Sequence, residues 1–345
     1  FIAKKLENIE NLNLFLEKNS LKYPYSILSK IAELSNTART ENSAYYTSQD
    51  ICYSVIKDLP EAKEFKQLRI LEPSIGVGNF LPLLIEKYKT VGKVVIDVVD
   101  IDENSINTLK LLLKTLEIPS NFTINIINAD FLLHKFELNY DIVVGNPPFK
   151  KITNEKPLLA SYKKGIFNTE TNNIFSFFIE KSLKLGNVVA LIIPKSLINS
   201  PEFNKTRQLL EALKIKKITD YGEKGFKGVK IETISFIANS NKKAIKNIVE
   251  IESYITKEIS FQEQDYIFSK DYPYWLIYRN EMFDNISNKM KFNIFNAYRD
   301  RQITKKITKE NGAIRILKSR NIASNKTIDI ENYDCYADDI ESLDV

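Results

Sequence analysis

Apolar residues recur at helical spacing over the first 36 positions: Ile2, Leu6, Ile9, Leu12, Leu14 and Phe15, then Ile27, Leu28, Ile31 and Leu34. The spacing predicts two helices with a break around Lys22-Tyr23-Pro24. From residue 68 the pattern changes to short apolar runs alternating with helical stretches. Residues 69–72, 94–100, 122–127, 140–144 and 188–193 read as strands, and 80–88, 106–116, 174–185 and 203–213 as helices. Further strands follow near 215–220 and 232–238. Strands that are apolar almost throughout are buried on both faces, and their alternation with helices implies a mainly parallel sheet. The predicted fold is a doubly wound α/β domain over 43–245, behind an N-terminal helical segment at 1–42. Residues 246–270 read as a strand extension and linker, with Ile248, Val249 and Ile251. Beyond 270 the period is lost, aromatic residues cluster (Tyr272, Tyr274, Trp275, Tyr278), and a further domain is expected over 271–345. No internal repeat and no low-complexity segment is visible.

A length of 345 residues agrees with about two domains. With 43% hydrophobic and 27% charged residues, the chain is neither a disordered tail, a collagen-like rod nor a disulfide scaffold. The best apolar run, 188–194, falls far short of the roughly 18 residues of a membrane helix, so no membrane partner is expected. One histidine (His134) and two cysteines (Cys52, Cys335) make His/Cys zinc sites, zinc deaminases and histidine-based hydrolases poor readings. The cysteine pair carries no framework signal, and a reducing cytoplasm is the expected compartment. The first residue is Phe, which suggests a trimmed or partial chain, and no signal-peptide pattern is visible.

The net charge of +5 says less than its distribution. Residues 288–326 hold eleven Lys or Arg against Asp300 and Glu310, and the last nineteen residues hold seven acids and no base. A solvated face with an acidic tail fits this pattern. So does a phosphate-contacting surface.

In open α/β sheets ligands bind at the carboxyl ends of strands, near the switch in strand order. The first predicted strand ends in Glu72-Pro73-Ser74-Ile75-Gly76-Val77-Gly78-Asn79-Phe80. Gly76 and Gly78 permit a tight turn and a close backbone approach to a ligand, or a turn that is only structural. Leu81 stands where a dinucleotide fingerprint needs its third glycine, which argues against NAD. The second strand ends in Asp100-Ile101-Asp102; an acid at that interval suits a ribose diol, although each acid alone reads equally as a helix cap. The third ends in Asn128-Ala129-Asp130-Phe131, a carboxylate beside an aromatic face that could grip an adenine ring. After the fourth comes Asn146-Pro147-Pro148-Phe149. The prolines hold the backbone rigidly and aim the Asn146 side-chain oxygen and the Pro147 carbonyl, both acceptors, into the cleft. Two acceptors on an exocyclic amino group hold its N–H bonds in plane. The nitrogen lone pair is then released from ring conjugation to attack an electrophilic methyl, and Phe149 offers a face to an unstacked base.

These motifs together resemble those of AdoMet-dependent amino-group DNA methyltransferases of the N6-adenine type, in the gamma motif order. The resemblance covers about 200 residues and implies a class I methyltransferase fold. It implies that the segment around Tyr46 and Thr47 packs on S-adenosyl-L-methionine. Glu72, Pro73, Ser74, Gly76, Gly78 and Phe80 would surround its methionine moiety. Asp100 and Ile101 would meet the ribose, and Asp130 and Phe131 the adenine. Asn146, Pro147, Pro148 and Phe149 would form the catalytic motif, S-adenosyl-L-homocysteine would be the product, and no metal is implied. Leu191-Ile-Ile-Pro194-Lys-Ser and Arg207 fall on later motifs, and Phe226 falls where such enzymes carry a second aromatic against the flipped base. Ile75 and Val77 replace the usual Cys and Ser, and Phe149 replaces a common Tyr, which keeps stacking but loses a hydroxyl.

Lys150 and Lys151, with Lys156, Lys163 and Lys164, fall in a long segment that reads as a solvated loop or, on the resemblance, as a lid closing on DNA backbone. Residues 313–322, with Arg315, Lys318 and Arg320, resemble the start of a target-recognition domain. Only a short stretch follows, so recognition is expected to be completed by further chain or by a partner. The implied partners are double-stranded DNA and a cognate restriction endonuclease or second methylase; the loop wording also resembles methylases paired with type IIS endonucleases. Two rivals stay open: a methyltransferase acting on RNA or protein glutamine through the same turn, and a non-catalytic DNA-specificity module.

Overall fold

The computed structural model describes residues 5–20, 22–35, 47–137, 139–224, 231–291 and 308–338. It divides into two compact units, Phe1–Asn280 and Glu281–Val345.

In the first unit, helices α1 (Ile9–Asn19), α2 (Tyr25–Ser35) and α3 (Gln49–Ile56) precede strand β1 (Gln67–Glu72). Then follow α4 (Leu81–Tyr88), β2 (Lys93–Asp100), α5 (Glu103–Leu113), β3 (Phe122–Asn128), β4 (Tyr140–Gly145), α6 (Lys156–Lys163) and α7 (Ile174–Leu185). The unit continues through β5 (Gly186–Pro194), α8 (Asn204–Glu211), β6 (Leu213–Gly222), β7 (Thr233–Lys243), β8 (Ile248–Ser253), β9 (Ile259–Glu263) and α9 (Gln264–Ile267). The strands form one nine-stranded sheet in the order β3-β2-β1-β4-β5-β7-β6-β8-β9. The run β3-β2-β1-β4-β5 is parallel, β7 is antiparallel to both its neighbours, β8 is parallel to β6, and β9 is antiparallel to β8. The chain leaves β1 for β2 on one side and returns to β4 on the other, so the switch in strand order lies between β1 and β4.

Alternate residues of the central strands feed opposite faces. Ile70, Ile96, Ile142 and Ala190 join α3, α4 and α5 in one core, while Leu71, Val99, Val143, Val189 and Leu191 join α7 and α8 in the other. Each such Val, Leu or Ile side chain, fully buried, contributes roughly 1.5–3 kcal/mol over its exposed state. This two-sided burial is why these strands read as unbroken apolar runs. Helix α5 starts at Glu103, before its first apolar position, because Asp102 caps it by accepting from the Asn104 and Ser105 amides.

Two stretches differ from the expected organisation. Residues 246–270 were expected to hold one strand and a linker; β8 and β9 lie there and widen the sheet. The aromatic stretch after 270 belongs to the first unit, which runs to Asn280. Trp275 stacks on Phe268 at 4.1 Å and donates its indole N–H to Glu211, and Arg207 donates to the Pro273 carbonyl. Irregular backbone buried in this way carries no period for a sequence reading to find. The segment after the Asn146 turn, expected as a loop, holds α6. Pro157 opens that helix, and Tyr162 packs with Ile152 and Phe177.

The second unit contains α10 (Glu281–Ser287), the antiparallel pair β10 (Ile314–Ile316) with β13 (Cys335–Ala337), and the hairpin of β11 (Ile322–Ala323) and β12 (Lys326–Thr327). Among the described residues no helix is long and apolar enough to cross a membrane.

Candidate active site

Four neighbouring parallel strands, β3, β2, β1 and β4, end at one edge of the sheet, and the chain following each carries a polar side chain there. A cavity of about 330 Å³ opens at this edge. Its wall includes Thr47, Glu72, Pro73, Ser74, Gly76, Phe80, Asp100, Ile101, Asp130, Phe131, Asn146, Pro147, Pro148 and Lys150. Most of the expected site residues are thus brought together although they span a hundred positions. Gly78, Phe149 and Lys151 do not line it, and Tyr46 and Phe226 lie outside the described residues.

The loop after β1 is stitched from both sides. Its Gly76 amide donates to Asp100 Oδ2 at 2.8 Å, its Ile75 amide to the Val99 carbonyl at 2.9 Å, and Ser74 Oγ to the Asn146 carbonyl at 2.9 Å. Gly76 and Gly78 take φ of 55° and 77°, the left-handed region where a side chain costs about 1–2 kcal/mol. At Gly78 the need for glycine is doubled. A Cβ there would lie 2.5 Å from the Tyr25 hydroxyl, which donates to the Val77 and Gly78 carbonyls. Gly78 shapes the loop from behind, and Tyr25 of α2 clamps it.

The acids differ in their settings. Glu72 is 1% exposed, and burial, then the neighbouring Asp100 charge, push its carboxyl well above the usual range. Its Oε2 is buried without a hydrogen-bond partner among the described residues. An oxygen so placed is incomplete until a donor arrives, and a cationic amine would satisfy it best. Asp100 is also raised by burial, against the lowering effect of the Asp102 and Gly76 amides that it accepts. Asp102 serves as the α5 cap described above. Asp130 accepts from the Leu132 amide at 2.9 Å and from the Tyr162 hydroxyl at 2.6 Å. Beside it Phe131 is buried against Phe178 at 4.7 Å, and Lys181 lies 5.1 Å from its ring centre. Leu132, Ile152, Leu158 and Ile174 add apolar side chains to the cavity wall. The arrangement offers an acceptor for an amine, an acid for a diol, and an acid beside apolar wall residues.

Asn146 follows Gly145, the last residue of β4, and its Nδ2 donates to Thr47 Oγ1 at 3.1 Å. Phe149 turns toward the core, its ring 6.4 Å from Phe175 and edge-on to it. Lys150 pairs with Glu155 at 3.6 Å and Lys151 with Glu202 at 3.3 Å.

The family model for the Eco57I restriction-modification methylases matches residues 6–226, a stretch that contains this whole site. The chain belongs to the Eco57I restriction-modification methylase family. It is 30% identical over 209 residues to the type II methyltransferase M.VspI of Vibrio sp. (strain 343), covering 59% of this chain and 49% of that protein. It is 28% identical over 237 residues to the type II methyltransferase M.BsuBI of Bacillus subtilis, covering 62% of this chain and 46% of that one. The chain therefore spans about half the length of these curated relatives. Among solved structures, the type I restriction-modification methyltransferase subunit of Streptococcus thermophilus superposes with a TM-score of 0.54 at 16% identity, over 73% of this chain and 63% of that one. A Listeria monocytogenes protein described as a class I S-adenosylmethionine-dependent methyltransferase gives the same TM-score at 16% identity, over 68% and 74%. At this identity the likeness establishes the class I methyltransferase fold.

In this family member, Tyr162 is a site residue that the sequence reading missed. It stands on α6 with its hydroxyl on Asp130, and burial, then Asp130, raise its pKa far above the ordinary phenol value. Its signal was a helix-opening Pro157 followed by Leu158 and Tyr162 four positions apart, on one face of a lysine-rich segment. Arg207, expected only as a motif residue, is buried and donates to the Leu197 and Ser200 carbonyls at 2.8 Å. In the second unit Arg315 is held by Asp329 at 2.6 Å and Asp334 at 2.9 Å, while Lys318 bonds the Tyr333 carbonyl. Arg320 is exposed, its guanidinium 5.3 Å from the Tyr333 ring centre.

Proposed function

We propose that this chain is the catalytic part of a restriction-modification DNA methyltransferase. It would transfer a methyl group from S-adenosyl-L-methionine to the N6 amino group of an adenine flipped out of duplex DNA. The observation that carries this reading is the Asn146-Pro147-Pro148 turn at the carboxyl end of β4, sharing one cavity with Glu72, Asp100 and Asp130. The residues present suit the cofactor. The Glu72 oxygen, without a partner among the described residues, would meet a cationic amine, Asp100 would meet a ribose diol, and Asp130 with Phe131 an adenine ring. The cavity of about 330 Å³ lies in the range of small-molecule sites.

When bound there, the cofactor supplies an electrophilic methyl group, which the amino nitrogen takes while the C–S bond electrons stay on sulfur as S-adenosyl-L-homocysteine. The chain's own part is to hold the amino group. Asn146 Oδ1 and the Pro147 carbonyl accept its two N–H bonds, turning the lone pair out of the ring plane. The proline pair keeps both acceptors fixed, so that orientation supplies much of the rate. The surplus proton passes from the methylated nitrogen to solvent after transfer, with no covalent enzyme intermediate. Holding the base outside the helix costs a few kcal/mol of stacking and pairing, which contacts with the DNA backbone must offset. Lys150 at the cavity rim and exposed Arg320 are candidates for those contacts. A cytoplasmic setting and a cognate endonuclease as system partner belong to the same proposal, which rests on membership of a restriction-modification methylase family.

The test is transfer of tritium from labelled S-adenosyl-L-methionine to plasmid DNA, with nucleoside analysis, on the wild type and Asn146→Ala. N6-methyladenine at one sequence, lost in Asn146→Ala, is expected. Label in RNA or protein instead would overturn the substrate assignment. Asn146→Ala methylating at the wild-type rate would overturn the mechanism.

A further inference from the structure

Asn146 sits at the end of a chain of polar contacts that begins on helix α2. Its Nδ2 donates to Thr47 Oγ1 at 3.1 Å. The Thr47 carbonyl accepts from Asn79 Nδ2 at 2.8 Å, and that same amide nitrogen reaches Glu33 Oε1 on α2. Glu33 Oε2 is paired with Lys30 at 2.6 Å. Thr47, Asn79 and Glu33 are all buried, at 4%, 7% and 3% exposure. Gln49 adds a bond to the Asn79 carbonyl, and Ser74 one to the Asn146 carbonyl.

An asparagine amide has a donor arm and an acceptor arm of nearly equal shape, and only its partners decide which way each points. Backbone rigidity from the two prolines cannot decide it, because the choice is a rotation about the last side-chain bond. In the structure the Thr47 hydroxyl accepts from the Nδ2 arm, which leaves Oδ1 on the other arm. We propose that Thr47 is a positioning residue for Asn146, setting its amide so that the oxygen meets the substrate amino group, and that Asn79 and Glu33 hold Thr47 in place. This rests on the methyltransferase reading above. It gives Thr47 a role beyond its packing on the cofactor, and gives Asn79 a role the glycine-loop pattern does not convey. The N-terminal helix α2 then braces the catalytic turn as well as the cofactor loop.

The test compares Thr47→Val and Thr47→Ser with the wild type. Valine matches threonine in shape and removes the acceptor; serine keeps the hydroxyl. Thermal melts establish that both variants are folded. Three quantities are measured: kcat with DNA, the Kd for S-adenosyl-L-methionine by calorimetry, and hydrogen exchange of the Asn146 side-chain amide in asparagine-labelled protein. The amide signal is assigned by its loss in Asn146→Ser. In Thr47→Val, kcat should fall about ten- to a hundredfold, as expected when a buried amide loses its partner. The Kd should stay within about threefold, and the Asn146 amide protons should exchange faster. Thr47→Ser should restore all three to near wild-type values. A Thr47→Val protein with unchanged kcat, or with unchanged amide protection, would overturn the proposal. So would a fall in activity that only follows weakened cofactor binding. The amide measurement needs no turnover. Protection present in the wild type and lost in Thr47→Val therefore upholds the contact even if no methyl group reaches DNA, a result that would count against the methyltransferase reading alone.

Discussion

Replacing Glu72 by Gln should move stability and cofactor affinity in opposite directions. The carboxyl is 1% exposed, and burial together with the Asp100 charge raises its pKa in the folded chain well above the ordinary 4.5. The sign follows from linkage. Below the unfolded value both states carry the proton, and Glu72 costs nothing. As pH rises from there through the raised folded value, the unfolded chain ionises first and stability is lost. Glutamine never ionises, so Glu72→Gln should equal or exceed the wild type in stability at neutral pH. The difference should close as pH falls toward 4.5. Binding responds the other way. The buried Oε2 lacks a partner among the described residues. A cofactor ammonium there would make a charge-assisted hydrogen bond worth about 1.5–3 kcal/mol. Its loss should weaken the Kd for S-adenosyl-L-methionine about 10- to 150-fold. The bound cation should also draw the Glu72 proton off, so wild-type affinity should rise with pH and calorimetric heats should depend on buffer. Calorimetry and thermal unfolding on the same preparations read both effects. A Glu72→Gln protein that binds the cofactor with wild-type affinity would refute the assignment, as would one whose weaker binding merely tracks lower stability.

Three further outcomes follow from particular contacts. Tyr162→Phe removes the 2.6 Å bond to Asp130, and should weaken cofactor binding about three- to tenfold in calorimetry; unchanged affinity would make Tyr162 a bystander. Gly78→Ala forces a Cβ onto the Tyr25 hydroxyl at a φ of 77°, and should destabilise the chain by about 3 kcal/mol in urea unfolding from backbone strain plus the displaced Tyr25 bonds; an unchanged midpoint would contradict this account of the loop. In DNA binding, Arg320→Ala should reduce the slope of log K against log salt by about 1, whereas Arg315→Ala, which removes pairings with Asp329 and Asp334, should chiefly unsettle the second unit; an unchanged slope for Arg320→Ala would take that residue out of the interface.

The sequence by itself determined the doubly wound core and most of the cavity wall. Strands such as Tyr140–Gly145 are buried on both faces, so their burial is written as an unbroken apolar run. The turn residues at their ends, Gly76 and Asn146-Pro147-Pro148 among them, act through local backbone chemistry that survives in a linear reading. Tertiary structure alone decided the partners. Tyr162 meets Asp130 across 32 positions, and Thr47 meets Asn146 across 99. Neither contact leaves a period or a motif, because a side-chain hydrogen bond depends on where two elements pack. The same reason separates Arg315 from Arg320. As letters in one basic stretch they are equivalent, but packing encloses the first between two acids and leaves the second exposed. It also placed Trp275 in the first unit, since burial of irregular backbone obeys shape and hydrogen bonding, and no repeat along the chain records it.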